Sequence, residues 1–414
     1  MRIQKCKGTC DLSPEDMRRF RQIESVFRNI CLAWDYQEIK TPTIEYLHLF
    51  TSAGTLTPGT LSKVYSFLDW DGWSGERVVL RPDGTIPVAR AYIDDMSAQK
   101  LARLFYVTSI FIFEETGKET REKWQCGVEL IGADSTTADI ELITVAMETL
   151  KSLGLKNIEL KLSHAGIIRA LLTGFGLSNE EQSKVFDQVL DGDATILNQL
   201  RDRAPELARL LTPLLDLKGE SSGFLKNLKA VFTQKLPEFR PALDNFIAVT
   251  DMLTSMGQPY EIDIASGRGF EYYTGLIFQL IAGKVKVGGG GRYNALIPLM
   301  GGGNVPASGF ALYIDPLMKL IRLPRTVVDK ILVTVQDEQT GSMQSAFDVM
   351  KRLHEAGFVT SLDLNIKEKQ AYKWRLEIRR KAPRFILSSS TGQSKQEVGT
   401  INAVLKLLGG QRAR

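Results

Sequence analysis

Cysteine and histidine are scarce in this chain, whose 414 residues include four cysteines and three histidines. Four cysteines are too few for a disulfide framework in a protein of this length. Cys6 and Cys10 lie close together in the sequence, but they have no second pair of ligands and do not match the spacing of a zinc site. We therefore expect neither a metal nor a cofactor.

A strong charge bias and long apolar runs are also missing. Lysine and arginine total 52 and aspartate and glutamate total 48, so the net charge is +4. This balance is too even to indicate nucleic-acid binding by bulk charge. No apolar run reaches the ~18 residues of a membrane span, and residues 1–16 contain no apolar signal-peptide core. We expect a cytoplasmic protein with no membrane partner.

The overall composition, with 43% hydrophobic and 24% charged residues, is typical of a globular protein. The length of the chain predicts about two to three domains. Ser13 followed by Pro14 predicts the start of a helix. Hydrophobic periodicity then predicts strands at Arg77–Leu80 and Leu104–Phe113 and helices at Thr85–Ile93 and Thr137–Leu153.

The second half of the chain changes character twice. Residues 165–255 carry leucines at helical spacing and predict a helical insertion, after which strands return at Glu261–Ile264 and Leu276–Ala282. A glycine-dense stretch, 283–309, separates the latter strand from a helix near 314–321. Strands and helices then alternate in a C-terminal α/β domain. Its predicted elements are strands at 330–335, 359–364 and 385–388 and helices at 344–356 and 366–381.

Two segments in the first half combine polar residues with glycine. In RPDGT, residues 81–85, Asp83 and Thr85 offer an acceptor and a hydroxyl beside a glycine turn. This segment is either part of a ligand site or an ordinary turn with a helix cap. In QCGVE, residues 125–129, alternation places Gln125 and Glu129 on one face of a strand with Gly127 between them. The small residue would leave room for a ligand, but a solvent-facing strand edge has the same pattern.

Two further segments lie in the second half. In RGFEYYTG, residues 268–275, Arg268 could pair with a carboxylate. A surface hairpin with the same sequence pattern is the alternative. Residues 288–291 are four glycines followed by Arg292 and Tyr293. No Gly-Lys-Ser/Thr follows them, so a phosphate-binding P-loop is not supported. Close approach of this backbone to a ligand or to another strand is the alternative.

Together, and in this order, these motifs resemble those of histidyl-tRNA synthetases. Residues 8–12 are similar to the family's opening Gly-Thr-Arg-Asp-Leu, RPDGT to its RPEGT, RGFEYYTG to its RG-L/F-D-YYTG, and GGGRYNAL to its GGRYD-x-L. The resemblance implies an α+β fold: a class II aminoacyl-tRNA synthetase-like antiparallel sheet of six or seven strands, flanked by helices. This core would span 1–322, with the helical insertion at about 165–255, and the C-terminal α/β domain would span 327–414.

The resemblance fails at the positions that bind ATP in the family. Motif 2 of a synthetase carries Phe-Arg-x-Glu, but this chain has Ile112 at the arginine position. Motif 3 ends in Gly-x-Glu-Arg, but here Tyr313 replaces the glycine and Pro316 replaces the arginine. Loss of one such contact in a preorganised site costs about 2.7–4 kcal/mol. We therefore expect the adenylation chemistry to be lost and assign no catalytic residue.

The residues that bind histidine in the family remain polar in this chain. The resemblance implies a histidine site formed by Asp83, Thr85, Arg121, Gln125, Glu129, Arg268, Tyr272 and Tyr273. A carboxylate suits an α-ammonium group, and Glu129 or Tyr273 suits an imidazole nitrogen. Asp83 is one methylene shorter than the glutamate of the family motif.

A histidine pocket without ATP-binding arginines resembles a paralogous group, the regulatory subunits of ATP phosphoribosyltransferase. The resemblance implies that the protein is required for the first step of histidine biosynthesis and mediates feedback by histidine. Its partner would be a short-form catalytic subunit. A homodimer core, built in part by the motif 1 segment after Thr41, would lie within a larger hetero-oligomer.

Two alternatives stay open, a divergent histidine–tRNA ligase and a stand-alone tRNA-binding paralogue. The C-terminal domain, which resembles a synthetase anticodon-binding domain, and the basic side chains of the predicted 366–381 helix favour tRNA slightly. A charged helical face is usually only solvated, so tRNA is not the expected partner. The basic side chains are Lys367, Lys369, Lys373, Arg375, Arg379, Arg380 and Lys381.

Overall fold

The computed structural model describes most of the chain in two compact units, Met1–Leu323 and Pro324–Arg414. The described residues are 4–52, 63–69, 75–113, 120–191, 193–205, 208, 218–232, 239–267, 272–323, 330–336, 340–364, 372–391 and 394–409.

The first unit begins with a helix whose start the sequence predicts. Ser13 accepts a hydrogen bond from the backbone of Asp16 and Asp16 accepts one back from the Ser13 backbone, so the two form a capping box. The helix buries Phe20, Ile23 and Phe27 on one face.

The elements of its first half follow in chain order. They are α1 Pro14–Ala33, β1 Gln37–Glu38, β2 Ile44–Tyr46, α2 Leu47–Ser52, β3 Ser66–Asp69, β4 Glu76–Leu80, α3 Thr85–Ala91, a π-helical turn Tyr92–Met96, β5 Ala102–Phe111, β6 Glu122–Ile131, α4 Thr136–Ser152 and β7 Glu159–His164.

The region from 165 to 255 is mostly helical where it is described. The elements from there to the end of the unit are α5 Ala165–Gly174, α6 Asn179–Leu190, α7 Ala194–Arg203, β8 Lys218–Gly219, α8 Ser222–Phe232, α9 Phe239–Ser255, β9 Glu261–Asp263, a 3-10 turn Ile264–Gly267, β10 Leu276–Ala282, β11 Val285–Arg292, α10 Leu296–Leu299, β12 Ala307–Tyr313 and α11 Ile314–Leu320.

A sheet in the order β1-β5-β6-β12-β11-β10-β7-β9-β8 forms the centre of the first unit. In this order, the six strands from β5 to β7 pair antiparallel with one another, as predicted. The sheet has more strands than the six or seven expected, because β1 joins one edge and β9 the other in parallel pairs and β8 follows β9. These edge strands have two or three residues, too few to show a period-two pattern. A separate small sheet has the order β2-β4-β3.

Helices cover one face of the large sheet, and its other face carries the polar residues of interest. On β6, Cys126, Val128 and Leu130 enter the main core together with residues of α1 and α4. Gln125, Gly127 and Glu129 alternate with them and lie on the opposite face. Strand periodicity therefore separates the packed face from the face that can bind a ligand.

The glycine-dense stretch is partly a strand rather than a loop. β11 pairs with β10 on one side and β12 on the other, so the glycines at 288–291 lie inside the sheet. A Cβ on Gly290 would lie 2.1 Å from the carbonyl oxygen of Gly309. The alternative of close backbone approach to a neighbouring strand is correct here, and no phosphate loop forms at these glycines.

The second unit is a five-stranded sheet in the order β14-β13-β15-β16-β17. Buried side chains of its strands pack with Ala346, Leu353 and Val404 from two helices. Its elements are β13 Lys330–Val335, α12 Thr340–Glu355, β14 Val359–Leu362, β15 Trp374–Ile378, β16 Phe385–Ser389, β17 Lys395–Val398 and α13 Ile401–Leu407.

The helix predicted at 366–381 is wrong for its second half, which contains β15. Leu376 and Ile378 are buried while Arg375 and Glu377 alternate with them, so the period is two and not 3.6. The predicted basic helical face is therefore absent from this segment. Arg379 instead pairs with Glu377 at 2.8 Å, and Lys367 and Lys369 lie outside the described residues.

Candidate functional site

The floor of the candidate site is the polar face of β6 and β12. Gln125 lies opposite Tyr313, and Glu129 lies opposite Gly309. Residues directly opposite one another in antiparallel strands point to the same side of the sheet. Between these pairs, Gly127 faces Ala311, so the middle of the floor consists of small residues.

The RPDGT turn forms one wall and is held by its arginine. The buried guanidinium of Arg81 donates to the carbonyl oxygens of Ser109, at 2.8 Å, and of Thr41, at 2.9 Å. A carboxylate oxygen of Asp83 accepts from the backbone N–H of Ile86 at 2.9 Å. Gly84 is the N-cap residue of α3, and Asp83, which precedes it, bonds the first turn of the helix. The half-buried carboxylate of Asp83 also lines the cavity.

Glu129 lies beneath two tyrosine hydroxyls. Tyr106, on β5, donates to its Oε1 at 3.3 Å, and Tyr293 donates to its Oε2. The side-chain amide of Gln125 donates to the Tyr106 hydroxyl at 3.4 Å. These hydrogen bonds fix a buried chain from Gln125 through Tyr106 to Glu129.

Glycines make room for the tyrosine rings. A Cβ on Gly127 would lie 2.1 Å from Cζ of Tyr106, and a Cβ on Gly309 would lie 2.4 Å from the hydroxyl of Tyr293. Gly127 was predicted to leave room for a ligand. In this structure the Tyr106 ring occupies that space, because Tyr106 lies opposite Gly127 in the strand register.

Two carboxyl groups in the site have raised pKa values. Burial raises the pKa of Glu129 well above its usual 4.5, with a further rise from Asp83 and opposing effects from the Thr85 and Tyr106 hydroxyls. Burial also raises the pKa of Asp83, although backbone N–H groups of the turn oppose this. Among the described residues, no lysine or arginine lowers the pKa of Asp83 or of Glu129. A positively charged ligand group would therefore be stabilised here.

A cavity of about 1430 Å³ opens above this floor. Five of the predicted site residues line it: Asp83, Thr85, Gln125, Tyr272 and Tyr273. The cavity is also lined by Ile112, Tyr313 and Pro316, at the positions that resemble the ATP-binding part of a synthetase. Both groups of residues therefore face one space.

The other three predicted residues are placed differently. Glu129 is 1% exposed and lies behind the cavity wall, screened by tyrosines. Arg121 stacks its guanidinium 4.3 Å from the ring centroid of Phe113, and its backbone N–H donates to the carbonyl of Gly8 at 2.8 Å. It therefore packs against the N-terminal segment, whose Gly8 lines the cavity, and Arg121 itself is not among the lining residues. Arg268 lies outside the described residues.

The tyrosine cluster leaves one hydroxyl available. The Tyr272 ring contacts those of Tyr273 and Tyr293, with centroids 5.3 and 5.2 Å away. Its hydroxyl is buried, which raises its pKa, and the neighbouring Thr85 hydroxyl opposes that rise. No described group makes a hydrogen bond of good geometry to it. Since a buried unsatisfied hydroxyl costs roughly 1–3 kcal/mol, a ligand acceptor or donor at this point would be favourable.

Tyr106 and Tyr293 are site residues that sequence reasoning did not identify. Tyr106 lies in an apolar strand that carries no motif, and only its register over Gly127 reveals its role. Tyr293 belongs to the quoted GGGRYNAL motif but was given no function. Within the described residues, no group of three or more His, Cys, Asp or Glu side chains could hold a metal ion.

The fold and the sequence define a class of protein. The family model for histidyl-tRNA synthetase matches residues 8–317. The solved structure of an ATP phosphoribosyltransferase regulatory subunit/histidyl-tRNA synthetase from Bacillus halodurans C superposes with a TM-score of 0.78 at 21% identity, over 92% of this chain and 100% of that one. Histidyl-tRNA synthetase from Nostoc gives 0.73 at 18% identity, over 96% and 97%. The predicted class II synthetase-like fold is confirmed.

Two curated relatives narrow the class. The chain is 50% identical to the ATP phosphoribosyltransferase regulatory subunit of Dehalococcoides mccartyi strain CBDB1, over 91% of this chain and 92% of the relative. It is 31% identical to the histidine–tRNA ligase of Methanosarcina acetivorans, over the full length of both. The chain therefore belongs to the histidyl-tRNA synthetase family, on the branch that contains the ATP phosphoribosyltransferase regulatory subunits. No helix in the described ranges has the length and apolar character needed to cross a bilayer.

Proposed function

We propose that this chain is a non-catalytic regulatory subunit of an ATP phosphoribosyltransferase and that it binds histidine in the cavity above β6 and β12. The supporting observation is the pair of carboxyl groups, Asp83 and Glu129, whose raised pKa values no described cation offsets. The α-ammonium group of an amino acid supplies the missing positive charge, and its binding favours the ionised carboxylates.

Each residue of the site has a proposed role. Asp83 faces the cavity and accepts from the α-ammonium, with the Thr85 hydroxyl beside it. The free hydroxyl of Tyr272 bonds an imidazole nitrogen. Glu129, behind the tyrosines, acts on the ligand through its charge and through the hydroxyls that it holds. Arg268 remains proposed for the ligand carboxylate on its sequence position alone.

The other end of the cavity supports the non-catalytic part of the proposal. Ile112, Tyr313 and Pro316 line it and supply no guanidinium group. Phosphoryl chemistry depends on cations that stabilise the charge developing in the transition state. An amino acid can therefore bind at one end while adenylation fails at the other.

The partner in this proposal is a short-form catalytic subunit, joined by a homodimeric core of this chain within a hetero-oligomer. The test is reconstitution of the two purified proteins, with phosphoribosyl transfer to ATP as the readout. The mixture should be active and inhibited by histidine, whereas the catalytic subunit alone should be much less active. Equal activity with and without this chain would contradict the regulatory function.

A tRNA-linked function is the second candidate, and the second unit is the observation that favours it. The chain includes an α/β unit at Pro324–Arg414 and aligns over its full length with a histidine–tRNA ligase. Deletion after Leu323 distinguishes the two functions. The regulatory proposal expects the deleted chain to retain stimulation and histidine response. Tight binding of one tRNA species at physiological salt, lost on deletion, would favour the alternative.

A further inference from the structure

Arg292, at the end of β11, carries a buried charge that the proposed histidine site does not use. It lies opposite Ser308 of β12, and Ser308 lies opposite Leu130 of β6. Leu130 belongs to the main core, so all three side chains point to the helix-covered side of the sheet. Arg292 is 8% exposed and is not among the lining residues of the cavity, whereas the next residue, Tyr293, does line it. Arg292 and Tyr293 therefore connect the two faces of the sheet.

The guanidinium of Arg292 holds the start of α4. Its Nη2 donates to Oδ2 of Asp139 at 2.6 Å and to the carbonyl oxygen of Ser135 at 2.9 Å. Its Nε donates to Oδ1 of Asp139 at 3.3 Å, and its Nη1 donates to Asp134. Asp139 is buried in the first turn of α4, and a bidentate arginine–carboxylate contact is strong in such surroundings. The end of β11 is thereby fixed to the first turn of α4.

The backbone of Arg292 holds the segment that follows Tyr273. Its carbonyl oxygen accepts from the N–H of Thr274 at 2.7 Å and from the Thr274 hydroxyl at 3.3 Å. The same hydroxyl accepts from the N–H of Asn294 at 2.9 Å. Thr274 is therefore bonded to the residues on both sides of Tyr293.

Three tyrosine rings depend on this arrangement. The ring centroids of Tyr273 and Tyr293 are 6.5 Å apart, and the Tyr272 ring contacts both. All three rings line the cavity. One ring belongs to the residue after Arg292, and the other two belong to the segment that is bonded to its carbonyl oxygen. A displacement of Arg292 would therefore change the carboxylate end of the cavity, beside Asp83.

A second ion pair anchors the same helix without reaching the cavity. Glu141, also on α4, accepts from Nε of Arg103 at 2.9 Å and from its Nη2 at 3.1 Å. Glu141 also accepts from the Tyr36 hydroxyl at 2.8 Å. None of these three residues belongs to the cavity wall that the structure describes. Both pairs anchor α4, but of the two only the Arg292 pair is bonded to the segments that carry the tyrosine rings.

We propose that Arg292 is a positioning residue of the amino-acid site and that Asp139 holds it in place. Through Thr274 and Tyr293, Arg292 sets the spacing of the three tyrosine rings. Lysine would keep the charge, but its single ammonium group cannot reproduce the planar set of donors to Asp139 and Ser135. The inference deepens the proposed function and rests on it, because the ligand is taken to be histidine.

Calorimetry on the full-length chain tests this role with histidine as the probe. The variants are Arg292→Lys and Asp139→Asn, and the matched controls are Arg103→Lys and Glu141→Gln. Histidine binding should weaken about tenfold in both variants and stay within about twofold of wild type in both controls. Urea unfolding should show a lower free energy of unfolding in all four proteins, because each loses part of an anchoring ion pair.

Two calorimetric results would overturn the proposal. One is equal histidine affinity of Arg292→Lys and wild type. The other is an equal loss of affinity in Arg292→Lys and Arg103→Lys, because it would show that anchoring α4 accounts for the whole effect.

Fluorine NMR reports the surroundings of the rings without histidine. The chain, labelled with 3-fluorotyrosine at its 11 tyrosines, is compared with Tyr272→Phe and Tyr293→Phe to assign two signals. Both signals should move in Arg292→Lys and keep their positions in Arg103→Lys. Unmoved signals in Arg292→Lys would overturn the proposal. If the signals move but wild type does not bind histidine, the histidine function is contradicted and Arg292 still positions the rings.

Discussion

The two ends of one cavity differ in what they can stabilise. At one end, burial raises the pKa values of Asp83 and Glu129, and no described cation offsets this rise. At the other, Ile112 and Pro316 offer no charge where the family resemblance leads us to expect arginine. Our proposal places an amino acid ammonium at the first end and expects no activation of its carboxylate by ATP at the second.

This difference is possible because separate segments build the two ends. The RPDGT turn and β6 position the carboxylates, whereas the segment after β5 and the start of α11 carry the changed positions. Both segments attach to the same sheet, in which Glu129 lies opposite Gly309 and Gln125 lies opposite Tyr313, four residues further along β12. Changes at one end can therefore remove catalysis and leave binding residues in place.

The largest expected effect is at the changed end. The purified chain should not support histidine-dependent exchange of pyrophosphate into ATP, because contacts that each contribute about 2.7–4 kcal/mol are missing. The rate should lie at least about four decades below that of a histidyl-tRNA synthetase assayed in parallel. An exchange rate within tenfold of that control would contradict the expected loss of adenylation at the Tyr313 end of the cavity.

The next effect is at the carboxylate end. Asp83→Asn should weaken histidine binding by about 2 kcal/mol, roughly thirtyfold, because it removes a charged hydrogen-bond partner of the ammonium. The asparagine Oδ1 can still accept from the Ile86 N–H, so folding should be preserved. Calorimetry measures the affinity, with the exposed Asp95→Asn as control. Similar losses in both variants would show that Asp83 has no specific role.

A smaller effect concerns the rings that shape the carboxylate end. Gly127→Ala should lower the free energy of unfolding by about 1.5 kcal/mol, because the new methyl group would overlap Tyr106. Gly223→Ala, near the start of α8 with only a Ser221 oxygen 3.6 Å from its Cβ, should be neutral or stabilising. Urea unfolding compares them, and a neutral Gly127→Ala would mean that the ring is not tightly held.

The smallest effect is a pH dependence of stability. Burial raises the pKa of Glu129 above 4.5, so the folded state keeps a proton that the unfolded chain releases. The stabilisation is complete below about pH 4.5 and is lost as pH rises through the folded pKa. Wild type should therefore lose more stability than Glu129→Gln between pH 5 and pH 8 in urea unfolding. Parallel losses would show that Glu129 titrates as an exposed carboxyl.

The sequence predicted this architecture best where a pattern was long and unambiguous. β10 has the predicted bounds Leu276–Ala282, and the capping box marks the start of α1. β11 was missed because its four glycines have low strand propensity. The adjacent strands β10 and β12 approach these glycines too closely for larger side chains. β15 was predicted as a helix because a short, charged strand shows few periods of alternation.

The sequence motifs identified many of the residues that line the cavity. The pairing register of the strands, which positions the other residues, could not be predicted from the sequence. Asp83, Thr85, Gln125, Tyr272 and Tyr273 all line the cavity. The space above Gly127 was predicted to hold a ligand, but it holds Tyr106. The position of that ring follows from the pairing of β5 with β6, which one strand's sequence does not contain.

The account's central claim is that histidine acts through the carboxylate end of this chain on a partner enzyme. The most direct test is the histidine concentration that half-inhibits the complex reconstituted with a short-form ATP phosphoribosyltransferase, measured with wild type and with Asp83→Asn. The account predicts that the half-inhibiting concentration rises at least tenfold in the variant. The same half-inhibiting concentration for both proteins would contradict the account and place the histidine site elsewhere.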